Sequence, residues 1–398
     1  MVLRAFLIFG LTLNALAHDA AFEEASYQRY LRSIENPAAK LDLPFTALEQ
    51  KLLVDALWDA QEDHALAIND KLDDLQGLAL PLDQELRVAV LRFRAGEALT
   101  LDTLSHALMS AIPTDRELSV LVVSLRLDLQ AMGLHHLVTL AEKHFPEPTG
   151  WVSASERPVG DQTQIAFDLW DYASPLTGAY SGGIKIYMFC RSNRLHPCLF
   201  ALRDRDDRPV LNERGELWLQ PSLGSSAHGL PSYQRNGNTP AGVLTIDGVM
   251  PAADQQISFG KFRRLILNFL PKSNSERATR TLLPQSSIDS DWWRPATVAR
   301  DVGRNLLRIH GTGKRNNNPT SSWFPFMRTS GCIAQRENSY NGIDYRDQRD
   351  LLDVLMAAQG LEVNFENEAR LKGMLFIIEL NDEARAVTRE DLAKAGIQ

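Results

Sequence analysis

The chain runs to 398 residues, 44% of them hydrophobic and 23% charged, the balance of an ordinary water-soluble globular protein with core enough for two domains or three small ones. A formal net charge of −8 excludes a chain-wide surface for polyanions, so nucleic acid is not an expected partner.

The first residues, MVLRAFLIFGLTLNALAHDA, carry one early positive charge at Arg4, an apolar run from Ala5 to Leu13, and the small-x-small triplet Ala15-Leu16-Ala17. This pattern predicts a secretory signal over 1–17, cleaved after Ala17, and an exported or periplasmic mature protein. The apolar run falls far short of the roughly 20 residues that span a bilayer. No later stretch is long and apolar enough to span a membrane, so no transmembrane segment is expected in the mature chain.

From Ala20 to His144 apolar residues recur at intervals of three and four, which predicts five or six helices in a domain spanning 18–145. Thr46-Ala47-Leu48-Glu49 and Thr114-Asp115-Arg116-Glu117 both have the capping-box form, in which a hydroxyl and a carboxylate satisfy orphaned backbone N–H groups. Breaks are expected at Asn36-Pro37, Leu80-Pro81, Ile112-Pro113 and Gly133. The stretch FPEPTGWVSASERPVG, rich in Pro, Gly and Ser, opens a predicted linker over 146–180.

Composition then changes. GGIKIYMFC, PCLFALRD, GVLTIDGV, RRLILNFL, NLLRIHG and GMLFIIEL are strand-like runs between turn residues. One amphipathic helix is expected over Tyr345–Gln359. The fold class read from this order is α+β: an all-helical N-terminal domain followed by a mainly β domain over 181–380, with 381–398 as a C-terminal tail.

Export places three cysteines in an oxidising compartment, where an odd count leaves one thiol over. Cys190 and Cys198 flank a short polar loop between two apolar runs, which suits a hairpin stapled by a disulfide; two reduced buried thiols are the alternative. Cys332 is the odd one out. It lies in RIHGTGKRNNNPTSSWFPFMRTSGCIAQRE, where His310 and Cys332 each adjoin a glycine. Cysteine catalysis needs a thiolate, and a neighbouring histidine supplies the base that makes one. Glycine on either side lets backbone groups approach a reacting centre. Papain-like peptidases carry the cysteine first, and here the histidine comes first.

IHGT followed by TSGCI, with NTPAGVLTI upstream (Thr239, Pro240, Gly242), resembles the L,D-transpeptidase catalytic domain over roughly Gly182–Leu380. The resemblance implies an L,D-transpeptidase-like fold for the second domain and a cysteine acyltransferase acting on peptidoglycan stem peptides. Cys332 would be the nucleophile, His310 its base, and the Gly311 carbonyl the group that orients the histidine. Backbone N–H groups at Gly331 and Cys332 would form the oxyanion hole, with Thr329 and Ser330 beside the substrate. Two positions depart from the family pattern: Ser330 stands where many members carry a second histidine, and Ala334 where many carry Arg or Asn. Arg336 is a candidate replacement for that arginine, with a salt bridge as its other reading.

On this reading D-alanine leaves a tetrapeptide stem and an amine resolves the thioester. With water as acceptor the same site is an L,D-carboxypeptidase. A sortase, whose Thr-Leu-x-Thr-Cys strand is absent, and a catalytically silent wall-binding module are the other readings. The helical domain is a candidate surface for a cell-wall protein partner.

No cofactor or metal is expected: His135 and His136 are adjacent and point about 100° apart on a helix, and H-E-x-x-H is absent. GSSAHG, Gly224–Gly229, lacks the spacing of a serine-hydrolase elbow. Trp323 and Phe324 are read as loop packing or a lid, and Trp292-Trp293 as core or sugar-binding aromatics.

Overall fold

The computed structural model describes residues 22–398 except 64–68, 155–159, 252–258 and 271–274 and positions 24, 35, 37, 39, 42, 45, 76, 173 and 175. The expected secretory signal lies outside the described residues. The fold mixes helix and sheet around one large, nearly closed, barrel-like sheet.

Helices come first: α1 (25–34), α2 (Ala47–Asp63), α3 (Asn69–Asp73), α4 (Leu82–Arg94), α5 (Asp102–Ala111), α6 (Arg116–Ser124), α7 (Arg126–Ala131) and α8 (His135–His144). That is eight among the described residues where five or six were expected. The surplus comes from the five-residue α3 and from a break at Leu125, which separates α6 from α7.

The first capping box forms as read: Glu49 N–H donates to Thr46 Oγ1 at 3.2 Å and Thr46 N–H to Glu49 Oε2 at 3.1 Å. The second does not. Asp115 caps α6 by accepting from Leu118 N–H at 2.9 Å, while the Thr114 hydroxyl donates back to the Ala111 carbonyl.

The stretch read as linker is largely helical, with α9 (Pro146–Ala154) and α10 (Thr163–Tyr172). Pro146 and Pro148 sit in the first turn of α9, where a missing N–H costs nothing, and Trp151 and Val152 are buried among the helices. Local Pro and Gly content misled here because it marks a helix start as readily as a loop.

The strands are β1 (Ile184–Arg191), β2 (Cys198–Arg203), β3 (Leu219–Ser222), β4 (Gly242–Val249), β5 (Leu265–Phe269), β6 (Arg308–His310), β7 (Ile333–Ala334), β8 (Glu337–Tyr340), β9 (Ile343–Arg346) and β10 (Lys372–Asn381). Helices α11 (Ser275–Thr281) and α12 (Arg294–Asp301) precede β6. Helices α13 (Asp347–Ala358), α14 (Phe365–Glu368) and α15 (Arg389–Lys394) lie in the last part of the chain.

Eight strands form one sheet in the order β3-β2-β1-β10-β4-β5-β6-β7. Its two ends meet at one bridge, where Leu223 and Ala334 exchange backbone hydrogen bonds of 3.1 and 2.8 Å, so the sheet is nearly closed. Strands β8 and β9 form a separate hairpin turned by Asn341 and Gly342, both at positive φ, as a two-residue Asn-Gly turn requires.

All eight residues of β1 are buried, because both faces of the sheet are covered. Ile186 and Met188 pack with Ile309, Ile333 and α13 on one side; Tyr187 and Phe189 pack with Phe376, Trp292 and Trp293 on the other. The paired tryptophans are therefore core. Cys190 and Cys198 close the β1–β2 hairpin with a disulfide, their Cα atoms 4.3 Å apart. The expected tail is folded in: β10 runs to Asn381, and Leu392, Ala395 and Ile397 are buried in the core beside α10.

Candidate active site

His310 ends β6, and Cys332 immediately precedes β7. The two strands pair in parallel, Ile309 with Ile333 and His310 with Ala334. Ile309 and Ile333 are fully buried in the core, which anchors the pairing. Continuing the register by one residue places Cys332 beside Arg308, on the face that His310 shares. All three line a cleft of about 740 Å3. Cys332 is half-buried there, and its thiol contacts the Leu306 carbonyl at 3.7 Å.

His310 is 2% exposed, and its Nδ1 lies 2.5 Å from the Gly311 carbonyl oxygen. A carbonyl only accepts, so Nδ1 carries the ring proton and Nε2 is the basic nitrogen. The Phe259 ring meets the imidazole edge-on with centroids 5.3 Å apart. Glu337 backs the glycine: a Cβ at Gly311 would fall 2.1 Å from Glu337 Oε1, so any larger residue must displace the Glu337 side chain. Glu337 is buried and accepts from Lys261 N–H at 3.1 Å. Burial pushes its carboxyl above the usual range, against the pull of Lys261.

The turn before Cys332 is held from the Thr-Pro-x-Gly segment upstream. Thr239 Oγ1 donates to the Gly331 carbonyl at 2.9 Å. Gly331 has φ +94, and a Cβ there would meet the Gly237 carbonyl oxygen at 2.3 Å. Arg304 clamps the same segment by donating to the Gly237 and Asn238 carbonyls at 3.0 and 2.9 Å. Thr329 Oγ1 donates to the Cys332 carbonyl at 2.6 Å. Cys332, His310, Gly311, Thr329, Ser330 and Gly331 are thus gathered at one place.

Arg336 is not. It turns away from the cleft to Asp347, with Nε donating at 2.6 Å, and stacks against Tyr345. Trp323 packs with Leu223, Phe326 and Ala334, and Phe324 lies edge-on to Tyr340, so neither lines the cleft.

Sequence reasoning missed His228. The segment 225–227 runs beside Thr329, with Thr329 N–H donating to Ser225 O at 3.3 Å and Ala227 N–H to Thr329 O at 2.7 Å. This pairing carries His228 to the cleft, its Nε2 3.3 Å from Ser330 Oγ. GSSAHG, dismissed as an elbow, thus delivers an imidazole, and only the strand pairing reveals it. Also missed were Tyr27, Leu31 and Arg32 of α1, which form one wall.

The lining contains arginines and a lysine and, among the described residues, no aspartate or glutamate. Cationic surroundings favour the anionic form of a thiol. No family model, curated protein or solved structure matches the chain.

Proposed function

We propose that this chain is a cysteine acyltransferase of the L,D-transpeptidase type, exported to act on peptidoglycan stem peptides. The observation that carries the reading is one cleft holding both Cys332 and a histidine whose Nδ1 is committed to the Gly311 carbonyl. The finer fold reading, a helical domain followed by an L,D-transpeptidase-like catalytic domain, belongs to the same proposal.

In the proposed reaction His310 Nε2 takes the Cys332 thiol proton while Sγ forms a bond to the carbonyl carbon of the residue preceding the terminal D-alanine. Backbone N–H groups of the Gly331–Cys332 turn face the developing oxyanion, where one such donor contributes about 2.7–4 kcal/mol to the barrier. Collapse breaks the C–N bond, and the leaving D-alanine amine takes the proton back from His310. An acceptor amine then attacks the thioester, forms the new amide and returns the thiol.

Incubation with muropeptides and mass spectrometry of the products tests this. Cross-linked dimers are expected from wild type and none from Cys332→Ala. Free D-alanine without dimers would make the enzyme a carboxypeptidase, and full activity in Cys332→Ala would sink the mechanism. A carbapenem gives a direct readout: Sγ attack opens the lactam C–N bond and adds one adduct mass to wild type only.

A further inference from the structure

One arginine of the cleft lining, Arg235, meets a carboxylate, that of Asp55 at 3.4 Å. Buried arginines of the sheet region meet carboxylates: Arg191 with Asp391 at 2.7 Å, Arg194 with Glu379 at 2.8 Å, Arg263 with Glu368 at 3.3 Å. In a chain of net charge −8 this is the expected fate of a buried cation. The described lining itself contains no acidic side chain, and Arg32, Lys314 and Arg328 meet no carboxylate among the described residues. Arg328, half-buried, donates to the Ser226 carbonyl, lies over the Trp323 ring and pairs with no carboxylate among the described residues. Burial lowers its pKa without a compensating acid. Lys314 and Arg32 are exposed at the rim. Arg264 stands over Phe259, the ring that braces His310, with its guanidinium carbon 4.1 Å from the centroid.

These cations come from two distant segments of the chain. Lys314 and Arg328 belong to the loop between His310 and Cys332, and Arg32 projects from α1 in the helical part of the chain, next to the apolar Leu31 and Tyr27. Several cations from different segments, with no acid among the described lining residues, favour a ligand with negative charge at more than one point.

We propose that α1 is a ligand-binding wall of this cleft, and that Arg32 together with Lys314 and Arg328 selects a peptide bearing at least two carboxylates. The inference rests on reading the cleft as the peptide site and does not require Cys332 to react. It gives the helical region a role: α1 completes the site and sets its charge preference, while Tyr27 and Leu31 cover the apolar part of the bound chain.

The test uses the full chain carrying Cys332→Ala, so that binding is separated from chemistry. Calorimetry compares an acidic tetrapeptide bearing two side-chain carboxylates with the same peptide amidated at both. The acidic peptide should bind about tenfold tighter or more, the scale of one charge-assisted hydrogen bond, and added salt should narrow the gap. Arg32→Glu should remove most of that preference, and so should Lys314→Glu; both sites are exposed, so folding is preserved. Equal affinity for the two peptides, no binding of the acidic one, or a preference that survives both variants would overturn the proposal. Loss of affinity for both peptides alike in Arg32→Glu would also overturn it, by assigning α1 a structural role. Carbapenem acylation of wild-type Cys332 is read separately, so the acyltransferase reading and this one fail independently.

Discussion

The Thr239 hydroxyl donates a 2.9 Å hydrogen bond to the carbonyl of Gly331, the residue before Cys332, across 92 positions of sequence. Thr239 is fully buried, so it ties the Thr-Pro-x-Gly segment to the turn before Cys332. Thr239→Val keeps the shape and leaves the carbonyl without this donor, at a cost of about 1–3 kcal/mol. A lowered denaturation midpoint is expected, together with an acylation rate at Cys332 reduced about tenfold through misplacement of the thiol. An unchanged acylation rate would remove Thr239 from the positioning of the turn.

Gly331→Ala places a methyl 2.3 Å from the Gly237 carbonyl oxygen at a φ of +94. Backbone strain of this kind costs about 1–3 kcal/mol before the clash is counted. The turn must shift, and Cys332 acylation should fall below detection while the far-ultraviolet circular dichroism stays native. Normal acylation in the variant would count against the tight turn.

Burial raises the Glu337 carboxyl above its ordinary range. Between the ordinary and the raised value, the folded protein binds a proton that the unfolded chain has released. The stability this proton contributes is complete below the ordinary glutamate range and is lost as pH climbs through the raised value. Glu337→Gln cannot ionise, so its stability should decline less than that of wild type as pH rises above the ordinary glutamate range. Denaturant midpoints at several pH values give the comparison, and parallel profiles would refute the assignment.

Removing the Cys190–Cys198 disulfide with Cys190→Ala/Cys198→Ala opens a short loop, separation 8. The chain-entropy account puts the loss at about 2–3 kcal/mol. Equilibrium unfolding of the double variant beside wild type checks it; Cys332 lies on a different part of the sheet and should acylate at the wild-type rate.

Arg336 faces Asp347 and not the cleft. Arg336→Ala leaves a largely buried carboxylate without its guanidinium, so stability should drop by about 1–3 kcal/mol, while the acylation rate of the folded variant stays within about twofold of wild type. A selective loss of acylation with unchanged stability would return Arg336 to the site.

Much of the local structure was legible from spacing. The apolar runs became β1, β2, β4, β5, β6 and β10 because each contributes buried residues to the sheet, and the Thr46–Glu49 box formed because α2 begins directly after Thr46, whereas α6 begins one residue later than the Thr114 box requires. The Asn341-Gly342 turn carries an equally local signal that a closer reading would have found. The short β3 and β7 offer too few residues for a pattern; they are strands because their neighbours supply backbone partners. The helices α9, α10 and α15 lie in stretches read as linker and tail. Their apolar faces are intelligible only against the cores that Trp151, Leu169 and Leu392 enter.

At the site, the sequence by itself determined a histidine and a cysteine beside glycines, in that order, with a Thr-Pro-x-Gly segment upstream. Closure of the sheet decided the rest. It set β7 beside β6, pressed Thr239 on Gly331, carried His228 to Ser330 across 102 positions and turned Arg336 outward, while packing of Tyr30 and Ile34 in the helical core placed α1 against the cleft. Backbone hydrogen bonding and burial act between segments that are distant in sequence, so which side chains share a cavity is a property of the packed sheet and not of any local pattern.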